Sequence, residues 1–215
     1  MSELENWYQA HRSDYAQTED RLKATRNVVL NGKLSSAGDV LERAYMFAVL
    51  SIKTDRSRHE NAFVGHYTGN LTRKEAALET VYGGNKKNWI RRTFDKTNWN
   101  DLALAVRSHA KNGRFETLLN VVVDTVVGVS YRKAGFMLAM SGLTEYMCID
   151  SNVARYAGLD GDELTFNNAE SYMDKCREIC DGTGIEADPF VAQWAVYDYE
   201  RREHARHMTY FNEIL

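Results

Sequence analysis

Two short stretches of this chain hold residue types whose order could do chemistry. The first reads Val127-Gly128-Val129-Ser130-Tyr131-Arg132-Lys133-Ala134-Gly135-Phe136. Gly128 closes one apolar run and Ser130 can open the next, so the spacing predicts two helices joined by a tight turn. Such a turn leaves the first N–H groups of the second helix without partners, and their positive dipole end suits a phosphate oxygen. Arg132 and Lys133 follow immediately and add charge where a phosphate would sit. The second stretch reads Cys148-Ile149-Asp150-Ser151-Asn152-Val153-Ala154-Arg155. Asp150 leaves the apolar Tyr146-Met147-Cys148-Ile149 at the start of a helix. A carboxylate held beside a sugar can stabilise the positive charge that grows as a base departs, or activate a nucleophile, as carboxylates do in glycoside hydrolysis. The same place also suits a plain N-cap, whose oxygen accepts from first-turn N–H groups.

Other groups carry weaker signals, each with a structural alternative. Lys86-Lys87-Asn88-Trp89-Ile90-Arg91-Arg92 interleaves bases with an aromatic, which suits a nucleic-acid backbone or equally a solvated helix face with Trp89 buried. Trp194, Tyr197 and Tyr199 fit a base pocket, but core packing is the better reading. His204 and His207 are three apart among Arg201, Arg202 and Arg206, a setting that disfavours a metal cation. The three cysteines are Cys148, Cys176 and Cys180. Cys176 and Cys180, one helical turn apart, have no second Cys/His pair to complete a metal site and read as core. No metal and no cofactor are implied.

The first stretch resembles the hairpin of the helix-hairpin-helix DNA glycosylase superfamily, which runs apolar–Gly–apolar–Gly, three residues, then Ala. Gly128, Val129, Ser130 and Ala134 occupy those places, with Ser130 for the second glycine and Val127 for the usual preceding proline. The superfamily's aspartate follows one helix and one loop later in a Val-Asp-Thr-His-Val segment with an Arg beyond. Ile149-Asp150-Ser151-Asn152-Val153 and Arg155 are similar, with Asn152 in place of the His. Upstream, Leu50-Ser51 and Thr54-Asp55 resemble its Leu-Ser…Thr-Asp segment. The likeness spans about half the chain. It implies a two-lobed all-α fold, with the hairpin over residues 118–141 and the aspartate segment over 148–155. It also implies double-stranded DNA carrying a modified base as partner, and processing of that base once it is flipped out. Asp150 would be catalytic. Gly128, Val129, Ser130, Arg132, Lys133, Asn152 and Arg155 would bind DNA. Bifunctional relatives carry a lysine nucleophile where Arg132 stands; arginine stays protonated and cannot form a Schiff base. That role would fall to Lys133 only if the hairpin is shifted by one residue, so a monofunctional glycosylase is implied. The Asp150-Ser151-Asn152 and Lys133–Phe136 segments look closer to a phage-type branch, grouped as α-glutamyl/putrescinyl thymidine pyrophosphorylases. Those displace pyrophosphate from a hydroxymethyluracil derivative in DNA with an amine or amino acid. A third reading is a hairpin module that binds DNA and has lost catalysis.

The elements that must position these residues read as helices. The chain has 215 residues and one proline, Pro189. Apolar residues recur at helical spacing, predicting helices over 13–30, from Ser36 or Asp39 to about 52, and over 72–82, 85–94, 98–111, 114–127, 131–141, 151–157, 167–180 and 189–207. Gly83-Gly84 is expected to separate two of them. A buried strand at residues 121–127 is the alternative for that valine-rich run. We expect one all-α domain over 1–215 whose N- and C-terminal helices pack together, monomeric and intracellular. No apolar run approaches the roughly 20 residues of a membrane helix, and the acidic start Met1-Ser2-Glu3-Leu4-Glu5 is unlike a secretory signal. The formal net charge of -3 argues against a non-specific nucleic-acid coat protein, though a local basic cleft remains compatible with it.

Overall fold

The computed structural model describes residues 2–161 and 164–202. Among them twelve α-helices form: α1 (Glu3–Ala10), α2 (Arg12–Asn31), α3 (Leu34–Leu50), α4 (Arg56–Tyr67), α5 (Arg73–Leu78), α6 (Gly83–Lys96), α7 (Trp99–Lys111), α8 (Phe115–Thr125), α9 (Tyr131–Met140), α10 (Ser151–Tyr156), α11 (Ala169–Thr183) and α12 (Pro189–Arg201). The protein is all-α, as its periodicity predicts. No helix among the described residues is long and apolar enough to cross a membrane.

The packing centres on α3. Ala37, Leu41 and Ala44 are buried, and then so is every residue from Tyr45 through Leu50. A helix apolar on all sides belongs in an interior, and α2, α4, α6, α7 and α9 all pack against this one. The first and last described helices meet as expected, with α1 and α2 both against α12. There the buried Tyr15 donates its hydroxyl to Asp198 Oδ2 at 2.8 Å. Arg107 of α7 fastens the end of α2, donating from Nε to the Val29 carbonyl at 2.6 Å and from Nη2 to the Gly32 carbonyl. An arginine thus does there what a C-terminal glycine motif does elsewhere.

Several boundaries differ from the sequence expectation. Periodicity leaves α1 and α4 out. Local capping makes both: Ser2 and Glu5 form a reciprocal capping box on α1, and Asp55 caps α4 through the Arg58 N–H at 3.0 Å. The Gly83-Gly84 pair begins α6 rather than separating two helices. The break falls at Tyr82, which is left-handed with φ 58°. A Cβ at Gly83 would lie 2.7 Å from the Ala77 carbonyl, so the glycine permits close passage of two helix ends. The helix expected over 72–82 is only α5. The valine run is helical through Thr125, with Leu118, Leu119 and Val122 on the buried face; the strand alternative is set aside. Cys176 is buried and Cys180 half-buried, as core residues. Of the helix expected over 189–207, residues 203–207, including His204 and His207, lie outside the described residues.

Gly135 on α9 faces α11 at the tightest point of the core. A Cβ there would take the place of the Tyr172 hydroxyl, which donates to the Met147 carbonyl. Tyr172 is fully buried, so its ring has no room to withdraw. Gly135→Ala is therefore expected to destabilise the fold by about 1–3 kcal/mol through overpacking, although alanine is the better helix former. A lowered urea midpoint is the expected reading, and an unchanged midpoint would contradict the packing of α9 on α11.

Candidate active site

The turn between α8 and α9 is held from two sides. Val127 donates its N–H to Thr93 Oγ1 of α6 at 2.8 Å, and its carbonyl accepts from the Tyr45 hydroxyl of α3 at 3.0 Å. Gly128 follows with φ 86°. A Cβ at that position would meet the Trp89 indole at 2.6 Å, so both the backbone angle and the space require glycine. Ser130 is the N-cap of α9 in extended conformation, and its side chain makes no capping bond. Gly128, Val129 and Ser130 all open onto one cleft of about 890 Å³.

Asp150 lines the same cleft. Its Oδ1 accepts from the Asn152 and Val153 N–H groups at 2.8 and 3.0 Å, capping α10. No described residue partners Oδ2. One oxygen thus fixes the side chain, and the cap leaves the other unused. Arg132, Lys133 and Asn152 share the cleft wall. The charged lining is Lys53, Arg56, Arg132, Lys133 and Arg201 against Asp55 and Asp150. Asp55 is engaged at the start of α4. Among the described residues, cationic side chains thus outnumber carboxylates in the cleft lining of a chain whose net charge is -3.

Beneath the cleft lies the C-terminal end of α3. Lys86 is wholly buried and donates from Nζ to the Leu50 carbonyl at 2.8 Å and to Thr54 Oγ1 at 2.7 Å. His59 is buried with Nε2 on the Phe47 carbonyl at 3.1 Å. Ser51 donates to the Ala48 carbonyl at 2.8 Å and accepts from Lys133 Nζ at 3.0 Å. Lys133 also stands 5.0 Å over the Phe136 ring. Burial first, and then the Lys133 charge, bring the Lys86 ammonium down to about 7. The same two causes hold His59 down to about 3, so its ring is neutral at pH 7.

Most of the residues that sequence order singles out come together here. Arg155 does not: it is absent from the cleft lining and pairs with Glu200 at 3.3 Å. Trp194 and Tyr197 line the cleft, whereas Tyr199 turns away and donates to Glu3 Oε2 at 2.6 Å. Within the basic stretch 86–92, Lys86 points inward and only Trp89 reaches the cleft wall. Sequence reasoning missed His59 and Lys86 as site supports, and it missed Gln193, which is 1% exposed and also lines the cleft. Comparison of the chain with protein-family models, curated proteins and solved structures returns no match.

The two depressed groups fix the sign of a pH dependence. His59 titrates near its ordinary 6.5 when unfolded and at about 3 when folded. The unfolded chain binds this proton first, so stability falls as pH drops from 6.5 toward 3, by up to about 1.4 kcal/mol per pH unit from this residue. Lys86 is lowered from 10.5 to about 7; between those values the unfolded chain holds the extra proton, so its contribution rises with pH. His59→Gln, which keeps a donor for Phe47, should flatten the acid slope, and Lys86→Met should flatten the rise between pH 7 and 9. Urea denaturation at a series of pH values checks both, and parallel wild-type and variant curves would contradict them.

Proposed function

We propose that this protein is a DNA-base-processing enzyme of the helix-hairpin-helix DNA glycosylase superfamily. It acts on a modified base flipped out of double-stranded DNA into the cleft. In this reading α8, the 126–130 turn and α9 are the hairpin, within the two-lobed fold of that superfamily. One observation carries it: the hairpin-like turn and Asp150 line a single cleft whose walls also include Arg132, Lys133, Trp89, Phe136, Trp194 and Tyr197. Each part has a physical task. The first-turn N–H groups of α9, with Arg132 beside them, take a backbone phosphate, which positions DNA without reading sequence. The aromatic walls receive an unstacked base. Asp150, fixed through Oδ1, holds Oδ2 toward the sugar, where negative charge is worth more in the transition state than in the ground state.

Lys133 is the lysine that a covalent step would use, because Arg132 cannot serve and Lys86 is beneath the floor. Its second task is charge: together with Arg132 it offsets the phosphates of the bound strand. The phage-type transferase reading shares this machinery. There Asp150 would deprotonate the incoming amine instead of stabilising the sugar.

Asp150→Asn is expected to abolish turnover while leaving DNA affinity within about threefold, because asparagine still caps α10 but supplies no negative charge. The substrate panel is DNA rich in modified pyrimidines, with products read by nucleoside mass. Base release, with a borohydride-trapped complex that vanishes in Lys133→Ala, marks a lyase; release without a trap marks a monofunctional glycosylase. Amine incorporation without release marks the transferase. Full activity in Asp150→Asn would overturn the assignment. In the same assays Arg132→Glu with Lys133→Glu should weaken binding to all sequences alike and reduce its salt dependence; unchanged binding at moderate salt would remove the turn as the anchor.

A further inference from the structure

Gln193 is a buried side chain at the cleft wall whose amide nitrogen neither the fold nor the proposed chemistry uses. Gln193 sits on α12 among Phe190, Val191, Ala192 and Trp194, all buried. Its Oε1 accepts from the Cys148 N–H at 2.6 Å. That bond decides the amide's orientation, because a backbone N–H must face the oxygen. The opposite end is the Nε2 amide, with two N–H donors. No described residue accepts from it. With no acceptor among the described residues and access to the cleft, this nitrogen is a donor left for a ligand. Gln193 lines the cleft, two residues across from Asp150 through its bond to Cys148.

We infer that Gln193 reads the extruded base at the 4-position of a pyrimidine or the 6-position of a purine, and that this position carries a carbonyl oxygen rather than an amine. The inference rests on the reading of the cleft as a nucleotide site and names the class of base it takes. Lys133, which lines the same cleft, is also a donor. Lys133 has three N–H bonds and gives one to Ser51. A base edge with an exocyclic amine at this place would set N–H against N–H. A keto edge, as in uracil, thymine, guanine or hypoxanthine, satisfies Gln193 instead. The neighbouring rings, Phe136 and Trp194 with centroids 6.3 Å apart, offer faces to any base and so select none. The anchored amide is what discriminates.

The test uses pairs of bases that differ in little but this group. Four otherwise identical duplexes carry uracil, cytosine, hypoxanthine or adenine, each opposite a tetrahydrofuran abasic analogue so that none is paired. Dissociation constants come from fluorescence anisotropy with the full chain. Wild type should bind uracil over cytosine, and hypoxanthine over adenine, by about ten- to a hundredfold, the range of one well-made base contact. Gln193→Glu keeps an acceptor for the Cys148 N–H and turns the free end from donor to acceptor, so it should reverse the preference. Gln193→Ala should erase it. Equal wild-type binding to uracil and cytosine would overturn the inference, whether or not the variants fold. A keto preference that survives Gln193→Ala would overturn it too. If no unpaired base is bound better than a fully paired duplex, the nucleotide-site reading fails and this inference falls with it; if all four are bound better and alike, only this inference fails.

Discussion

A helix that ends inside a protein must find partners for its last carbonyls, because no water reaches them. α3 ends this way, and much of the molecule is arranged around the need. His59 of α4 donates to the Phe47 carbonyl, Ser51 to Ala48, and Lys86 of α6 to Leu50. Three separate parts of the chain are thereby tied to one turn. The ionisation states follow from the same burial: a charged imidazole would cost more than its bond to Phe47 returns, so the ring stays neutral. Lys86 fixes α6, which places Trp89 against Gly128 and Thr93 under Val127. The turn to which the proposed function gives the DNA backbone is thus positioned by a wholly buried lysine.

Helix ends also account for the electrostatics of the cleft. α3 presents its negative end, and cations gather there: Lys86 directly, Lys133 through Ser51. α9 and α10 present their positive ends, one with an uncapped Ser130 and the other with Asp150. An open N-terminus suits an anion brought by a ligand, whereas a capped one holds its own carboxylate in place. In the proposed function the two helix starts divide the work between binding and chemistry. Their common floor keeps them in register.

The sequence made the local parts of this arrangement legible. The Gly128 turn, the start of α9 and the capping position of Asp150 each depend on neighbours within a few residues, and each lies where residue order places it. Tertiary contacts were not legible. Lys86 sits in a run of charged residues and reads as surface, yet its partners Leu50 and Thr54 are more than thirty positions away. His59 lies on α4, a helix too polar for periodicity to find, where the Asp55 cap and the four-residue spacing of His59, Phe63 and Tyr67 were the available signals. Gln193 had a signal of its own: a lone amide in the otherwise apolar 190–196 run of a buried helix face. The glycine pair at 83–84 misled because Gly83 permits close passage of α5 and α6 rather than marking the break, which falls at Tyr82.

Charge complementarity between Asp150 and a sugar losing its base is the centre of the proposed function. The most direct measurement is the affinity of the full chain for two duplexes, one with a tetrahydrofuran abasic analogue and one with its positively charged pyrrolidine counterpart. The shapes match and the ring charge differs. Wild type should prefer the pyrrolidine by at least about tenfold, as expected of a site complementary to a cationic transition state, and Asp150→Asn should bind the two alike. Equal wild-type affinity for both, or a preference that persists in Asp150→Asn, would contradict it.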